Sequence, residues 1–294
     1  MSLTTARRRA PTDWLPYLLI GPVLLVMVPF FVMPLAVLLR NSFSRDDPRL
    51  LLVSDRTVDN YLRILGDGYY ANIFVNSLGT SFLVAGITLV IAYPFAWYLV
   101  QQSGRKVSVL MWFVYLPLIV SVITRVYGWM VITADSGIIN SLLIWMGITD
   151  GPVRILFDRT GMTIGMVHRY LPLMILPLYS ALSRLDGRIL TASASLGATG
   201  PQTFFRVTLP LSIPGIFVGI QLTVAVVLSD YVLPLLLGTT RFAMVAPAIY
   251  DEAISMVRWA SAATMAMVTI AVVAIVIVAT NLLRRWLAPW SRGQ

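Results

Sequence analysis

The chain has 294 residues, 58% of them hydrophobic and only 12% charged. A soluble domain of this length needs roughly twice that charge to cover its surface, so composition points to a bilayer as its solvent. It contains no cysteine, which excludes disulfides, thiolate metal sites and cysteine nucleophiles.

Six runs are long enough to cross about 30 Å of hydrocarbon: residues 15–39, 73–100, 108–132, 160–182, 213–237 and 262–283. The first could be a secretory signal, but it is longer than an apolar signal core of about 7–15 residues. No small-x-small cleavage site follows it, so it reads as an uncleaved span. Pro22, Pro29 and Pro34 lie inside it, which predicts a kinked helix whose neighbours re-satisfy the backbone. In the next loop, VDNYLRIL (58–65) places its apolar residues on one helical face and predicts a short surface helix. SGIINSLLIWMGI (136–148) is too short to span and predicts an interfacial or re-entrant helix, with Trp145 at headgroup depth. A further short helix is expected at 248–257. These segments either receive a ligand-carrying protein or simply cap the bundle. Gly161 with Gly165, and Gly215 with Gly219, are pairs of small residues four apart that let helices approach closely.

An even number of crossings puts both termini on one side. The connections on that side carry Arg7, Arg8, Arg9, Arg105, Lys106, Arg184, Arg188, Arg206, Arg284, Arg285 and Arg292 against only Asp13 and Asp186. The opposite loops carry nine arginines against ten acids. The basic side is cytoplasmic by the positive-inside rule. The net charge of +9 is therefore a topology signal, and nucleic acid is not a partner.

The cytoplasmic connection at 183–212 is far longer than two adjacent spans require. Residues 189–196 are good helix formers with small side chains, and Gly197 can take the positive φ that ends such a helix. Gly200 and Pro201 suit an N-cap and first turn opening a second helix at 201–208, which Pro210 stops. Phe204 and Phe205 predict that at least one aromatic ring is buried in a partner or against the bundle.

Gly197 stands twelve residues before Leu209, which Pro210 follows. That spacing resembles the EAA loop of ABC importer permeases, Glu-Ala-Ala-x3-Gly-x9-Ile-x-Leu-Pro. The chain is most similar to the spermidine/putrescine branch, through the repeated prolines of its first span and RVYGWMVITADSGIINSLLIWMGI (125–148). The likeness runs from about Trp14 to Arg285. It implies an all-α membrane protein with the six-helix fold of type I ABC importer permeases. It further implies a single domain over 1–294 with both termini cytoplasmic, in the bacterial inner membrane. Within the loop, Ala192 matches the first alanine, Gly197 the glycine, Val207 the usual isoleucine, and Leu209–Pro210 the closing pair. Thr191 stands where the family has glutamate, and Ser193 replaces the second alanine. ATPase docking would then rest on shape, through Leu196, Ala198, Phe204 and Phe205, with Arg188 and Arg206 nearby. Lys106 is the single lysine and lies in no phosphate-cradling loop. ATP and magnesium would therefore belong to a separate ATPase pair, and the chain itself would be non-catalytic, without cofactor or metal. The resemblance also implies a second permease subunit in a heterodimer and an external solute-binding protein.

Ionisable residues inside spans are candidates for the solute pathway. Arg125 and Asp230 both fall near the outer ends of their spans, where they either pair or line a vestibule. His168 and Arg169 lie about 12 Å into the fourth span at 1.5 Å per residue. His168 reads as polar packing, whereas Arg169 needs water, an anion or backbone carbonyls. A polyamine would want carboxylates and aromatic faces, which Asp135, Asp230, Tyr231, Trp129 and Tyr127 offer in part; Arg125 and Arg169 would repel it. The competing reading is an ion-coupled secondary transporter, which calls for inverted repeats and broken midplane helices with paired acids. An intramembrane enzyme is disfavoured by the lack of HExxH and GxSxG motifs.

Overall fold

A chain solvated by lipid must close its backbone hydrogen bonds within itself, and helices do this locally. The computed structural model describes residues 15–47, 51–53, 55–239 and 242–287. The basic tails that carry Arg7, Arg8, Arg9 and Arg292 lie outside the described residues. In chain order come α1 (Leu15–Ser42), a small antiparallel hairpin of β1 (Arg45–Asp47) and β2 (Leu51–Val53), then α2 (Asp59–Gly66) and α3 (Gly68–Val100). They are followed by α4 (Arg105–Ile119), α5 (Val122–Thr133), α6 (Ile138–Trp145), α7 (Arg159–Ser183), α8 (Gly187–Ser195) and α9 (Gly200–Thr203). A π-turn (Phe204–Thr208) leads into α10 (Leu209–Leu228), α11 (Val232–Leu237) and α12 (Val245–Tyr250). A second π-turn (Asp251–Ser255) precedes α13 (Trp259–Leu287). Short helices anticipated near 58–65, 136–148 and 248–257 are found as α2, α6 and α12 with its π-turn, and α6 falls inside a longer apolar stretch, Val122–Trp145.

Five stretches among the described residues are long and apolar enough to cross a membrane: Ile20–Ser42, Gly68–Val100, Val122–Trp145, Gly200–Leu228 and Trp259–Leu287. At 160–182, where a crossing is expected, lies α7, which at 25 residues is long enough but more polar than those five, since it carries Arg159, His168 and Arg169. Its polarity has a structural reason. Twelve of its residues are buried, against α3 and α10 on one side and α4, α5 and α11 on others. A helix jacketed by protein need not be uniformly apolar.

The core is built on these contacts. Ala85, Ala92, Tyr93 and Ala96 of α3 meet Met174, Ile175, Leu178 and Leu182 of α7 and Val224 and Leu228 of α10. A second cluster joins Met162, Met166 and Tyr170 of α7 to Val126 of α5 and to Leu233 and Leu237 of α11. Between membrane helices, close packing replaces the hydrophobic drive, so small residues set the approach. A Cβ on Gly215 would stand 2.5 Å from the Ala181 Cβ and 2.8 Å from the Pro177 carbonyl oxygen, and one on Gly219 would collide with Met174. The Gly215–Gly219 pair thus seats α10 on α7.

At one end of the bundle, Asp46 accepts the backbone N–H groups of Ala260 (2.7 Å) and Ser261 (3.1 Å), capping α13, while Tyr70 donates to Glu252 at 2.6 Å. The Thr264 hydroxyl donates to the Ser42 carbonyl at 2.9 Å, tying α1 to α13. Most of α1 is otherwise exposed and apolar.

Two expected spans are divided differently. The run 108–132 is broken between α4 and α5, where Val120 and Ser121 are extended. Pro117 lies in the last turn of α4 and cannot donate to the carbonyl four residues back, which weakens the helix there. Such a break is a feature of secondary transporters too, but the charged group beside it is Arg125 rather than a pair of acids. The run 213–237 ends early, at Leu228, and the helix that feeds it starts at Gly200. Pro210 does not stop that helix. The preceding π-turn sends the Leu209 N–H to the Phe204 carbonyl, and this wider turn makes room for a proline that lacks a donor of its own.

Candidate functional site

The segment 183–212 folds as a hairpin of two short helices, built by local rules. Asp186 accepts the Arg188 N–H at 2.9 Å and opens α8. Gly197, at φ +81°, closes it. The Gly197 N–H donates to the Ala194 carbonyl (2.9 Å) and the Ala198 N–H to the Ser193 carbonyl (3.2 Å), the paired bonds of a Schellman cap. The cap of α9 is Thr199, one residue earlier than the anticipated Gly200. Thr199 and Gln202 exchange the two bonds of a capping box. A Ser193–Thr203 hydroxyl bond of 2.9 Å then holds the two helices together.

This geometry sorts the loop residues into two sets. Thr191, Ala192, Leu196, Gly197 and Phe205 are exposed, Leu196 at 89% and Phe205 at 64%, whereas Ser193, Ala198, Leu209 and Pro210 are half-buried. Phe204 turns inward. Its ring meets Tyr93 edge-on at 5.6 Å and Trp97 at 6.3 Å, both on α3. The Tyr93 hydroxyl is hydrogen-bonded to Ser212 at 2.8 Å. One phenylalanine is thus packed, half-buried, against the bundle and the other is presented outward. The Thr191 hydroxyl bonds back to the Gly187 carbonyl within α8.

The second cluster lies between α5, α7 and the α10–α11 break. Asp230, 6% exposed, accepts from the Tyr170 hydroxyl at 2.6 Å and from the Val232 N–H at 3.1 Å, and pairs with Arg169 at 3.4 Å. The turn after Leu228 follows from this side chain, since aspartate bonds to backbone two residues ahead and competes with the helix. The anticipated Arg125–Asp230 pair does not form. Arg125 instead donates to the Val120 carbonyl at 2.6 Å, stapling the α4–α5 break, and lies within electrostatic range of Arg169 and His168. The acidic partner goes to Arg169 because that arginine sits beside Tyr170 on the helix facing α11. The Trp129 indole N–H donates to His168 Nδ1 at 3.4 Å, polar packing within the bundle. Asp135 is exposed and outside the cluster, and Tyr231 stacks instead on Tyr250 at 4.8 Å. Two guanidinium groups against one carboxylate leave the cluster positive.

Three contributors escaped the sequence reading: Tyr170, Tyr93 and Trp97. Tyr170 adjoins Arg169, and a hydroxyl beside a buried charge is a signal that was available. The Tyr93–Trp97 platform for Phe204 depends on distant segments meeting, and no local pattern marks it.

No family model matches the chain. Among curated proteins it is 36% identical over 233 residues to the spermidine/putrescine transport system permease protein PotB of Haemophilus influenzae, covering 79% of this chain and 81% of that one. It is 30% identical to PotB of Escherichia coli K12 over 79% of this chain and 84% of that one. In structure it is similar to a chain of a bacterial alginate ABC transporter crystallised with an alginate pentasaccharide-bound periplasmic protein. The TM-score is 0.76 over 94% of this chain and 96% of that one, at 17% identity.

Proposed function

The chain belongs to the ABC importer permease family, and from that premise we propose that segment 183–212 docks it onto a separate ATPase pair. It is a multi-pass membrane permease subunit, and α7 supplies the sixth crossing, with both termini on the cytoplasmic side of a bacterial inner membrane. The observation that carries the docking is the Leu196 and Phe205 side chains, held out to solvent on a hairpin whose every turn is capped. Large apolar groups displayed on a rigid, basic-flanked element fit a protein partner rather than water.

The chain itself is non-catalytic, and ATP with magnesium is bound and hydrolysed on the partner subunits. A second, non-identical permease completes the path, and an external binding protein delivers the solute to the outer loops. Closure of the ATPase pair displaces the hairpins and shifts the permease pair between inward-facing and outward-facing states. The shift is set by how differently nucleotide binds the two.

The solute is a polyamine or a related amine. Relatives that carry spermidine/putrescine in their names, at 30–36% identity, support this class. So does the tilted Tyr231–Tyr250 pair, which has Asp251 close by and leaves a cation an outer ring face and a carboxylate. Deeper in, Arg169 pairs with Asp230, so that carboxylate is already taken and the binding of a cation falls to the outer tyrosine pair.

Proteoliposomes holding the complete importer should accumulate labelled spermidine only with ATP on the ATPase side, and excess putrescine should compete. ATP-driven uptake that ignores polyamines overturns the solute class. Uptake without any ATPase overturns the whole reading.

A further inference from the structure

We propose that Phe204 is a positioning residue that fastens the docking hairpin to α3, so that the hairpin and α3 move as one body during transport; this rests on the docking of segment 183–212 to the ATPase. The hairpin is continuous with α10 through the π-turn at Phe204–Thr208, and a π-turn is a frequent mark of a functional site within a helix. By the chain alone, force from the ATPase would therefore pass to α10. The side chains provide a second route. Phe204 stands at the first position of the π-turn and directs its ring between Tyr93 and Trp97, which lie four residues apart and so on one face of α3. Its interplanar angles of 87° and 80° are edge-to-face, the arrangement that aromatic quadrupoles favour. The Tyr93 hydroxyl reaches Ser212, and the Ser212 hydroxyl is also bonded to the Leu209 carbonyl, so α3 is tied to the first turn of α10 as well.

The consequence lies next to this grip. Ile91 and Phe95 of α3 line a cavity of about 280 Å³ with Phe113 and Pro117 of α4 and His168 and Leu171 of α7. Pro94, between the gripped Tyr93 and the cavity-lining Phe95, removes one hydrogen bond from α3, but the helix runs unbroken from Gly68 to Val100, so the grip and the cavity wall are carried together. A displacement of the hairpin then moves a wall of this cavity through Phe204, without passing through the whole length of α10.

The natural absence of cysteine makes the test direct. The full importer would be reconstituted with Phe204→Ala, Phe204→Leu and the double variant Trp97→Cys/Phe204→Cys. Phe204→Ala should retain the ATPase pair on co-purification and keep its hydrolysis within about twofold of wild type, while solute transported per ATP falls at least tenfold. Phe204→Leu should restore part of that ratio. The double variant should be uncoupled when reduced and regain coupling when a short bifunctional thiol reagent bridges the two cysteines. A wild-type ratio in Phe204→Ala overturns the proposal, as does a bridged double variant that stays uncoupled. Should the wild-type chain fail to retain the ATPase at all, it is the docking assignment that fails instead.

Discussion

Replacing Gly197 with valine is expected to reduce ATP-driven uptake by on the order of tenfold while membrane insertion and bundle folding persist. At φ +81° the backbone of Gly197 is in the left-handed region, where a β-branched residue is a genuine outlier. The cost is about 1–2 kcal/mol, and a shift of about 1.4 kcal/mol is tenfold in an equilibrium. Nothing lies within 4 Å of where a Cβ would be, so the penalty is conformational rather than steric. It acts on the turn between α8 and α9, and the Schellman bonds that fix the angle of the two helices are the first to be lost. Uptake and ATP hydrolysis measured together in proteoliposomes would check it. Hydrolysis that continues while transport falls is the expected signature, and unchanged coupled uptake would count against the hairpin as the docking element.

Asp230→Ala should have the largest effect on stability. The carboxylate is buried, accepts hydrogen bonds from Tyr170, Val232 and Leu233 besides its ion pair, and leaves Arg169 at 22% side-chain exposure with no acid if removed. Breaking one side of a buried pair costs about 3–5 kcal/mol. Because Arg169 keeps some access to water, the lower part of that range applies. Thermal unfolding in detergent, followed by gel filtration, should show a clearly lower midpoint or loss of the monodisperse peak. Adding Arg169→Leu should recover part of the loss, since the orphaned charge is then gone too. Asp230→Asn should be milder, because its side-chain oxygen can still accept the Val232 N–H. A wild-type midpoint in Asp230→Ala would mean that the cluster is not a structural tie.

Much of this molecule is legible in its sequence because the membrane limits the choices. Long apolar runs become helices, and the basic loops report their side. Gly197 ends the first helix of the 183–212 hairpin by local backbone chemistry alone. The readings that failed share one physical cause, which is that a proline or an acid can be accommodated in more than one way. Pro210 suggests a stop, yet a π-turn absorbs it. The run 108–132 reads as one span, yet the chain breaks at Val120 and Ser121 and Arg125 fills the gap. Arg125 and Asp230 fall at matching depth near the outer ends of their spans, yet the packing of α7 against α11 gives the acid to Arg169 instead. The Phe204 platform was invisible for a simpler reason: Tyr93 and Trp97 are more than a hundred residues away in the chain.

The docking of the hairpin onto the ATPase is tested most directly by a single cysteine at Phe205 in this cysteine-free chain. In inside-out vesicles carrying the complete importer, a thiol-anchored photocross-linker there should join the chain to the ATPase subunit. In intact spheroplasts, a membrane-impermeant maleimide added outside should leave the same cysteine unlabelled. Labelling from outside, or cross-links to lipid and permease only, would contradict an ATPase seated on Leu196 and Phe205.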